Sequence, residues 1–511
     1  MSIHICLLID SPVTLKPRPF VLISGHPAEA ENRALPEVPL GREAKAIRKR
    51  VFLIIPGRRR SAGDRTPRQT LVHLFRVHAL ASQTHPLYPP GNTRYRRNSV
   101  YHGRTTMQRR HFLLSSLSAL PPVRINRIAL APIQGQFHKF VAMNAYDKAP
   151  KGRAYDGTLV RIATNQGLEG VGTMSYPAPD AKFQQAVRAL LNANPFEIYA
   201  MKDGLVAGRK PAFAALLTEY KHLDGPLFDL LGKLHGKPCW KLMGASTRER
   251  VETYDGTLYF SDVWFKDRGV AAVVDEVEEA MRQGYGGVKL KLGRGSKWMA
   301  KEEGLARDIN VVHAVRKASG PSLKIMVDAN NGYRDDFEGA WKLLAETKRD
   351  EVYWLEEPFP ETVESYMRLR ERMEKAGMKT LIADGENLRE ASQFEPYLKP
   401  NRLMDIVQLD IRTGGFVENL RLAKMAESAG AVTVPHNWGS QIGVFMGLHF
   451  AKVVANAPMA EDDRSRCDAV IAEGYSFAGG SYKVSERPGL GLRVDEEVYA
   501  RKYRSMEIVI S

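Results

Sequence analysis

The chain has 511 residues, 44% of them hydrophobic and 26% charged, with a formal net charge of +16. This length exceeds one average domain and can bury a sizeable core, while no run approaches the roughly 18 uninterrupted apolar residues of a membrane-spanning helix. Cys6, Cys239 and Cys467 are far apart and odd in number, which argues against a disulfide framework or a cysteine metal cluster.

The positive charge is concentrated at one end. Residues 1–123 hold 20 Lys and Arg against 6 Asp and Glu, and the remainder holds 54 against 52. The runs "GRRRS" and "RYRRN" have the character of a nucleic-acid arm. No aromatic stacking platform, zinc spacing or recognition helix accompanies them, so no nucleic-acid partner is expected. "MQRRHFLLSSLSALPPV" begins at Met107. Its twin Arg109 and Arg110, short apolar run and small residues resemble a twin-arginine export signal, without an A-x-A cleavage site. The expectation is a translation start near Met107, a signal-like segment over 107–123, and a non-native leader over 1–106. The alternative is a disordered native extension in which the arginine pair is fortuitous. Export follows from the first reading, a cytoplasmic location from the second.

From Arg124 the texture is that of a folded protein, with a first strand near 124–133. "TLVRIATNQGLEGVGTMSY" (158–176) alternates, turns at Asn165–Gly167 and predicts a hairpin. Helical patterns cover 181–192 and 211–235, completing an α+β segment over 124–244. A regular alternation then runs from 245 to 479. Strands are predicted over 251–259, 287–293, 323–330, 351–358, 380–387, 405–412, 431–437 and 457–463, with helices over 301–318, 335–347, 361–376 and 416–429 among those between them. Eight strands in βα alternation predict a parallel sheet closed as an α/β barrel. An open doubly wound sheet is the alternative, but no glycine-rich phosphate loop follows the first strand.

The C-terminal strand ends, where such barrels do chemistry, carry Lys289 and Lys291, Asp328, Glu356 and Glu357, Glu386, Asp410, His436 and Glu461. Taken singly, Asp328 in "LKIMVDANNGYR" reads as a turn residue. Repetition about once per βα unit predicts a shared pocket instead. Asp328, Glu356 and Glu386 together would repel one another without a cation, and all-oxygen ligation suits Mg²⁺ first and Mn²⁺ next. Lys289 and Lys291 share a strand face. Their proximity predicts a lowered pKa and a base near neutral pH. Asp410 beside His436 would fix the tautomer of the imidazole and raise its basicity, whereas His449 in "GVFMGLHFAK" reads as packing. A lysine base, a divalent metal and a histidine across from it suit removal of the proton next to a carboxylate through an enediolate.

In this order, "KLK", "VDAN", "WLEEP", "DGEN", "LDIRTGG" and "VPHNWGS" resemble the enolase superfamily, mandelate racemase/muconate lactonizing enzyme-like branch. The resemblance covers about 124–505, including "PGLGLRVD" at 488–495. It implies a modified TIM barrel, (β/α)7β, over 245–479, and a capping domain formed by 124–244 with the tail 480–511. It implies one Mg²⁺ per site on Asp328, Glu356 and Glu386, and a lysine or histidine base as is general for that group. Lys291 matches the base, Lys289 its helper, and Asp410–His436 the dyad. Asn330 and Glu461 match residues that contact the substrate carboxylate. One departure is that three residues separate Asp410 from the glycine pair, where relatives often have four. The capping loop "QFHKFVAMNAYDKAPKGRAYDG" is polar and basic and suits an anionic, hydroxylated small molecule. The expectation is an acid-sugar dehydratase in which His436 protonates the departing hydroxide. A racemase or epimerase using Lys291 and His436 on opposite faces is the alternative, and the intact metal and base set argues against a non-catalytic binding protein. A homo-oligomer is expected.

Overall fold

The computed structural model describes residues 122–174 and 180–511 and, before them, only the backbone of three strands: β1 (His4–Leu8), β2 (Arg50–Ile54) and β3 (His73–Phe75). These pair antiparallel in chain order. They belong to one unit, Met1–Phe112, and the rest of the fold to a second, Leu113–Ser511. The twin-arginine pair and its apolar run lie outside the described residues, as does most of the leader.

In the second unit, β4 (Ile125–Val141), β5 (Gly152–Thr164) and β6 (Glu169–Met174) form an antiparallel meander. The turn between β5 and β6 closes where the Thr164 N–H donates to the Leu168 carbonyl, with Gly167 supplying the left-handed φ of 78°. The helix Asp224–His235 packs on β6. Buried Asp229 fastens it there, accepting the Val171 N–H at 2.7 Å and the Leu490 N–H at 2.6 Å. The single helix predicted over 211–235 is two, Pro211–Glu219 and Asp224–His235, because Tyr220 leaves helical geometry (φ −115°, ψ 61°). A short hairpin, β7 (Tyr199–Lys202) with β8 (Leu205–Arg209), precedes them.

Eight parallel strands follow: β9 (Arg250–Leu258), β10 (Gly287–Lys291), β11 (Lys324–Asp328), β12 (Trp354–Glu356), β13 (Leu381–Asp384), β14 (Ile406–Val407), β15 (Val432–Thr433) and β16 (Met459–Asp462). Their order is β15-β14-β13-β12-β11-β10-β9, with β16 on the other side of β9. The intervening helices include Val270–Arg282, Lys301–Ser319, Phe337–Glu346, Val363–Lys375, Ile411–Ser428 and Gln441–Val453.

The sheet curls. Tyr254, Met326, Trp354, Ala383, Ile406, Val434 and Met459, drawn from both ends of the strand order, share one buried cluster. Val288 and Leu290 point the other way, into a second cluster with the helices. Among the described residues no strand ladder joins β15 to β16. The Thr433 N–H donates instead to Asn456 O, and the Asn437 N–H donates to Glu461 Oε2 at 3.0 Å.

The strand predicted over 405–412 is the shortest-lived expectation. Only Ile406–Val407 is strand, because Asp410 caps the next helix, its Oδ1 accepting the N–H of Arg412 and Thr413 at 2.7 and 3.0 Å. The tail also divides differently from the expected boundary at 480. Ser481–Lys483 pairs antiparallel with β9, extending the parallel sheet, whereas Ser465–Arg466 and Ile508–Ile510 both pair with β4.

Candidate active site

Strand register builds the site. Lys291 stands opposite Asp328, and Asp328 opposite Glu356, on successive strands β10, β11 and β12. Because side chains alternate along β10, Gly287, Lys289 and Lys291 share the face opposite to Val288 and Leu290. Glu386 follows two residues after β13. Asp328, Glu356 and Glu386 each bring an oxygen within 4.8 Å of the others. Glu386 Oε2 is buried without a hydrogen-bond partner among the described residues, 3.2 Å from His436 Nε2. An orphaned buried carboxylate oxygen beside two more carboxylates fits a hard divalent cation on oxygen ligands.

The two lysines take different places. Lys289 is fully buried, 2.7 Å from Glu356 Oε1, 2.9 Å from Glu461 Oε1 and 3.4 Å from Asp328 Oδ2. Lys291 pairs with Asp328 and lies 5.4 Å from the centre of the Tyr259 ring. The expectation of lowered lysine pKa values is corrected. Burial, the largest single influence, pushes both down, but Glu356, Glu461 and Asp328 together outweigh it at Lys289, and Asp328, Glu386 and Glu356 together outweigh burial and Lys289 at Lys291, so both stand above the ordinary lysine value. The like-charged neighbour anticipated from the spacing is present, but the acids around it are more numerous.

The Asp–His pair forms despite its shortened glycine spacing. His436 Nδ1 lies 2.8 Å from Asp410 Oδ2. Burial lowers the His436 pKa, yet Glu386 and Asp410 together push it up to about 9. Asp410 is held far below the usual carboxylate range: burial raises it, and Arg412 and His436 more than reverse that. Arg412 was not singled out in the sequence. Its Nη2 donates to Asp410 Oδ2 at 2.6 Å, and it sits two residues beyond Asp410, within reach of its own cap.

Asn330 lies at the cavity wall, but its side chain is already engaged. Nδ2 donates to Glu357 Oε2 at 2.9 Å, and Oδ1 accepts from Asn144 at 2.8 Å. Glu461 is buried between Lys289 and the Asn437 N–H and is not among the residues lining the cavity. Glu357, the second glutamate of "WLEEP", accepts from Asn387 at 2.5 Å and from the Tyr146 hydroxyl at 3.0 Å. The sequence showed the capping loop as polar; it did not show that Asn144 and Tyr146 reach these groups. His449 behaves as packing: its Nδ1 accepts the Trp240 N–H at 3.1 Å and its Nε2 meets the Tyr475 hydroxyl at 2.7 Å.

A cavity of about 490 Å³ opens over this end of the sheet. Lys291, Asn330, Glu386, Arg412 and His436 line it from the strand ends, and Asn144, Tyr146, Lys151 and Tyr155 from the capping segment. Phe137 and Trp438, also in its wall, stack with ring centres 4.9 Å apart.

Residues 272–498 match the family model "Enolase C-terminal domain-like". The chain is similar to a D-galactarolactone cycloisomerase of Agrobacterium fabrum, 29% identical over 66% of this chain and 89% of the relative. It is equally similar to an arabinonate dehydratase of Saccharolobus solfataricus, 29% identical over 66% of this chain and 88% of the relative. Among solved structures it resembles a mandelate racemase/muconate lactonizing protein from Geobacillus sp. Y412MC10 complexed with magnesium/tartrate. That likeness has a TM-score of 0.64 at 28% identity and covers 74% of this chain and 95% of that one. The chain therefore carries an enolase C-terminal domain-like region. The order of strand-end residues in this chain, lysines first and histidine near the last strands, is the order that the six sequence motifs carried.

Proposed function

We propose that this chain is a Mg²⁺-dependent dehydratase of acid sugars, working on a closed (β/α)7β barrel under an α+β cap. One observation carries the reading: Lys291 and His436 reach the same cavity, beside three carboxylates spaced to hold one cation. The relatives named as an arabinonate dehydratase and a galactarolactone cycloisomerase, and the magnesium and tartrate of the solved relative, support this substrate class.

Asp328, Glu356 and Glu386 would hold the ion. When bound, it supplies positive charge that anchors the substrate carboxylate, stabilises the charge that grows as the α-proton leaves, and offsets the acids that hold Lys291 protonated. Lys291 Nζ, at the cavity wall, takes that proton. His436 carries the proton that a general acid must supply, Asp410 favouring the imidazolium through its contact with Nδ1. It gives that proton to the departing β-hydroxyl. Asp410, charged throughout, keeps the imidazole turned toward the cavity through the Nδ1 contact of 2.8 Å. Asn144, Tyr146 and Lys151 of the cap shield the site from water and present polar groups to a hydroxylated chain.

The test is turnover of a panel of sugar acids with Mg²⁺, followed by ketone formation. Turnover of at least one member is expected, abolished in Lys291→Ala. Exchange of the α-proton without any loss of water would replace dehydration by racemisation or epimerisation.

A further inference from the structure

We infer that Arg294 is a positioning residue for the proposed base Lys291, acting through the backbone of the loop that follows β10; this rests on the reading of Lys291 as the base. Arg294 is a fully buried guanidinium three residues past Lys291. Its Nη1 donates to the Lys291 carbonyl at 3.2 Å and to Asp308 Oδ1 at 2.6 Å. Its Nε and Nη2 fork onto Asp262 at 3.0 and 2.6 Å.

The same network reaches the neighbouring loop. Asp308 Oδ2 accepts the Gly293 N–H at 2.8 Å and the Tyr333 hydroxyl at 2.7 Å. Tyr333 belongs to the loop after β11, whose last residue is Asp328. Arg294 thus ties the loop leaving the base to the loop leaving the first metal ligand. It also stacks on Phe260, 4.4 Å from the ring centre, and the Phe260 N–H donates to Met143 O in the capping segment.

A solvated loop needs none of this. Two aspartates and an arginine, all without solvent contact, cost desolvation that a structural role alone could avoid with apolar packing. What the planar fork supplies is direction: donors in fixed geometry that hold one carbonyl and two carboxylates at once, and through Asp308 the Gly293 N–H. Displacing a catalytic group by about 1 Å costs on the order of 100-fold in rate.

The experiment uses the full chain. Arg294→Lys keeps the charge and loses the fork; Asp308→Asn keeps the shape and weakens the anchor. For Arg294→Lys the expected result is a fall in kcat of roughly 100-fold, with KM and Mg²⁺ affinity within about twofold. Amide hydrogen exchange over 288–296 should quicken, while peptides covering β13 to β15 stay protected. Asp308→Asn should give the same pattern more weakly. Unchanged kcat at 25 °C with only a lowered melting temperature would overturn the inference, as would unchanged exchange over 288–296. If the wild type processes no sugar acid, the function reading fails, while the local exchange still decides whether Arg294 fixes this loop.

Discussion

Glu386 carries the sharpest expectation at the scale of single residues. Its Oε2 is buried without a hydrogen-bond partner among the described residues, so Glu386→Gln exchanges a ligand oxygen for an amide, and it also removes the charge 3.2 Å from His436 Nε2. Asp328→Asn and Glu356→Gln remove the other two charges. Each should weaken Mg²⁺ by more than the roughly 10–100-fold typical of an outer-shell partner; calorimetric titration with unchanged affinity in all three would refute the ligand set. A second expectation concerns His449, whose burial lowers its pKa from 6.5 to about 3. Between these values the unfolded chain binds the proton and the folded chain does not, so stability falls as the pH drops below 6.5 and stops falling near 3. At pH 5 the loss is about 2 kcal/mol. In His449→Gln the urea-unfolding free energy should change less between pH 7 and pH 5 than in the wild type; an identical change would contradict this. The residues readable beforehand were those ending strands in register, since the βα repeat dictates where they converge. Arg412 and Asn144 were not readable, because Arg412 is placed by side-chain direction and the partner of Asn144, Asn330, lies 186 residues along the chain, a relation no periodicity encodes.

Between elements, the loops after β10 and β11 meet closely beside the site. A Cβ added at Gly332 would lie 2.6 Å from Gly293 Cα and 2.8 Å from Ala329 O. Both neighbours are backbone and cannot yield as a side chain would. Gly332→Ala should therefore destabilise the fold by about 1–3 kcal/mol and lower kcat by shifting Lys291 against Asp328. A melting temperature and kcat both equal to the wild type would show that the loops have room. Element order and type were legible because apolar strands and amphipathic helices alternate at a steady interval. Element length was not. The stretch 405–412 reads as strand by its apolar run, but Asp410 is taken by the first turn of a helix, and local capping overrides the run. Likewise "YKHL" reads as continuous helix, yet Tyr220 breaks it.

For the molecule as a whole, cap and sheet behave as one piece over the site. Phe137, Val141, Ala142 and Met143 of the capping segment share a buried cluster with Tyr259 and Phe260 at the end of β9. Trp298 Nε1 donates to Asn144 O at 2.9 Å. Since β4 begins at Ile125, a chain starting at Pro121 should fold, bind Mg²⁺ and turn over like the full chain; lost metal binding on truncation would show that the leader is needed. The sequence conveyed this architecture through ordered motifs, but not the division of the tail between β4 and β9, because short edge strands carry little pattern of their own. The central claim is metal-dependent removal of an α-proton, and its most direct measurement is mass spectrometry of sugar acids incubated with the protein in deuterated water. With Mg²⁺, His436→Asn should place deuterium at the α-carbon of the substrate without releasing the dehydrated product, and Lys291→Ala or a chelator should abolish that incorporation. Incorporation that survives in Lys291→Ala, or that proceeds unchanged with the metal chelated, would contradict the account.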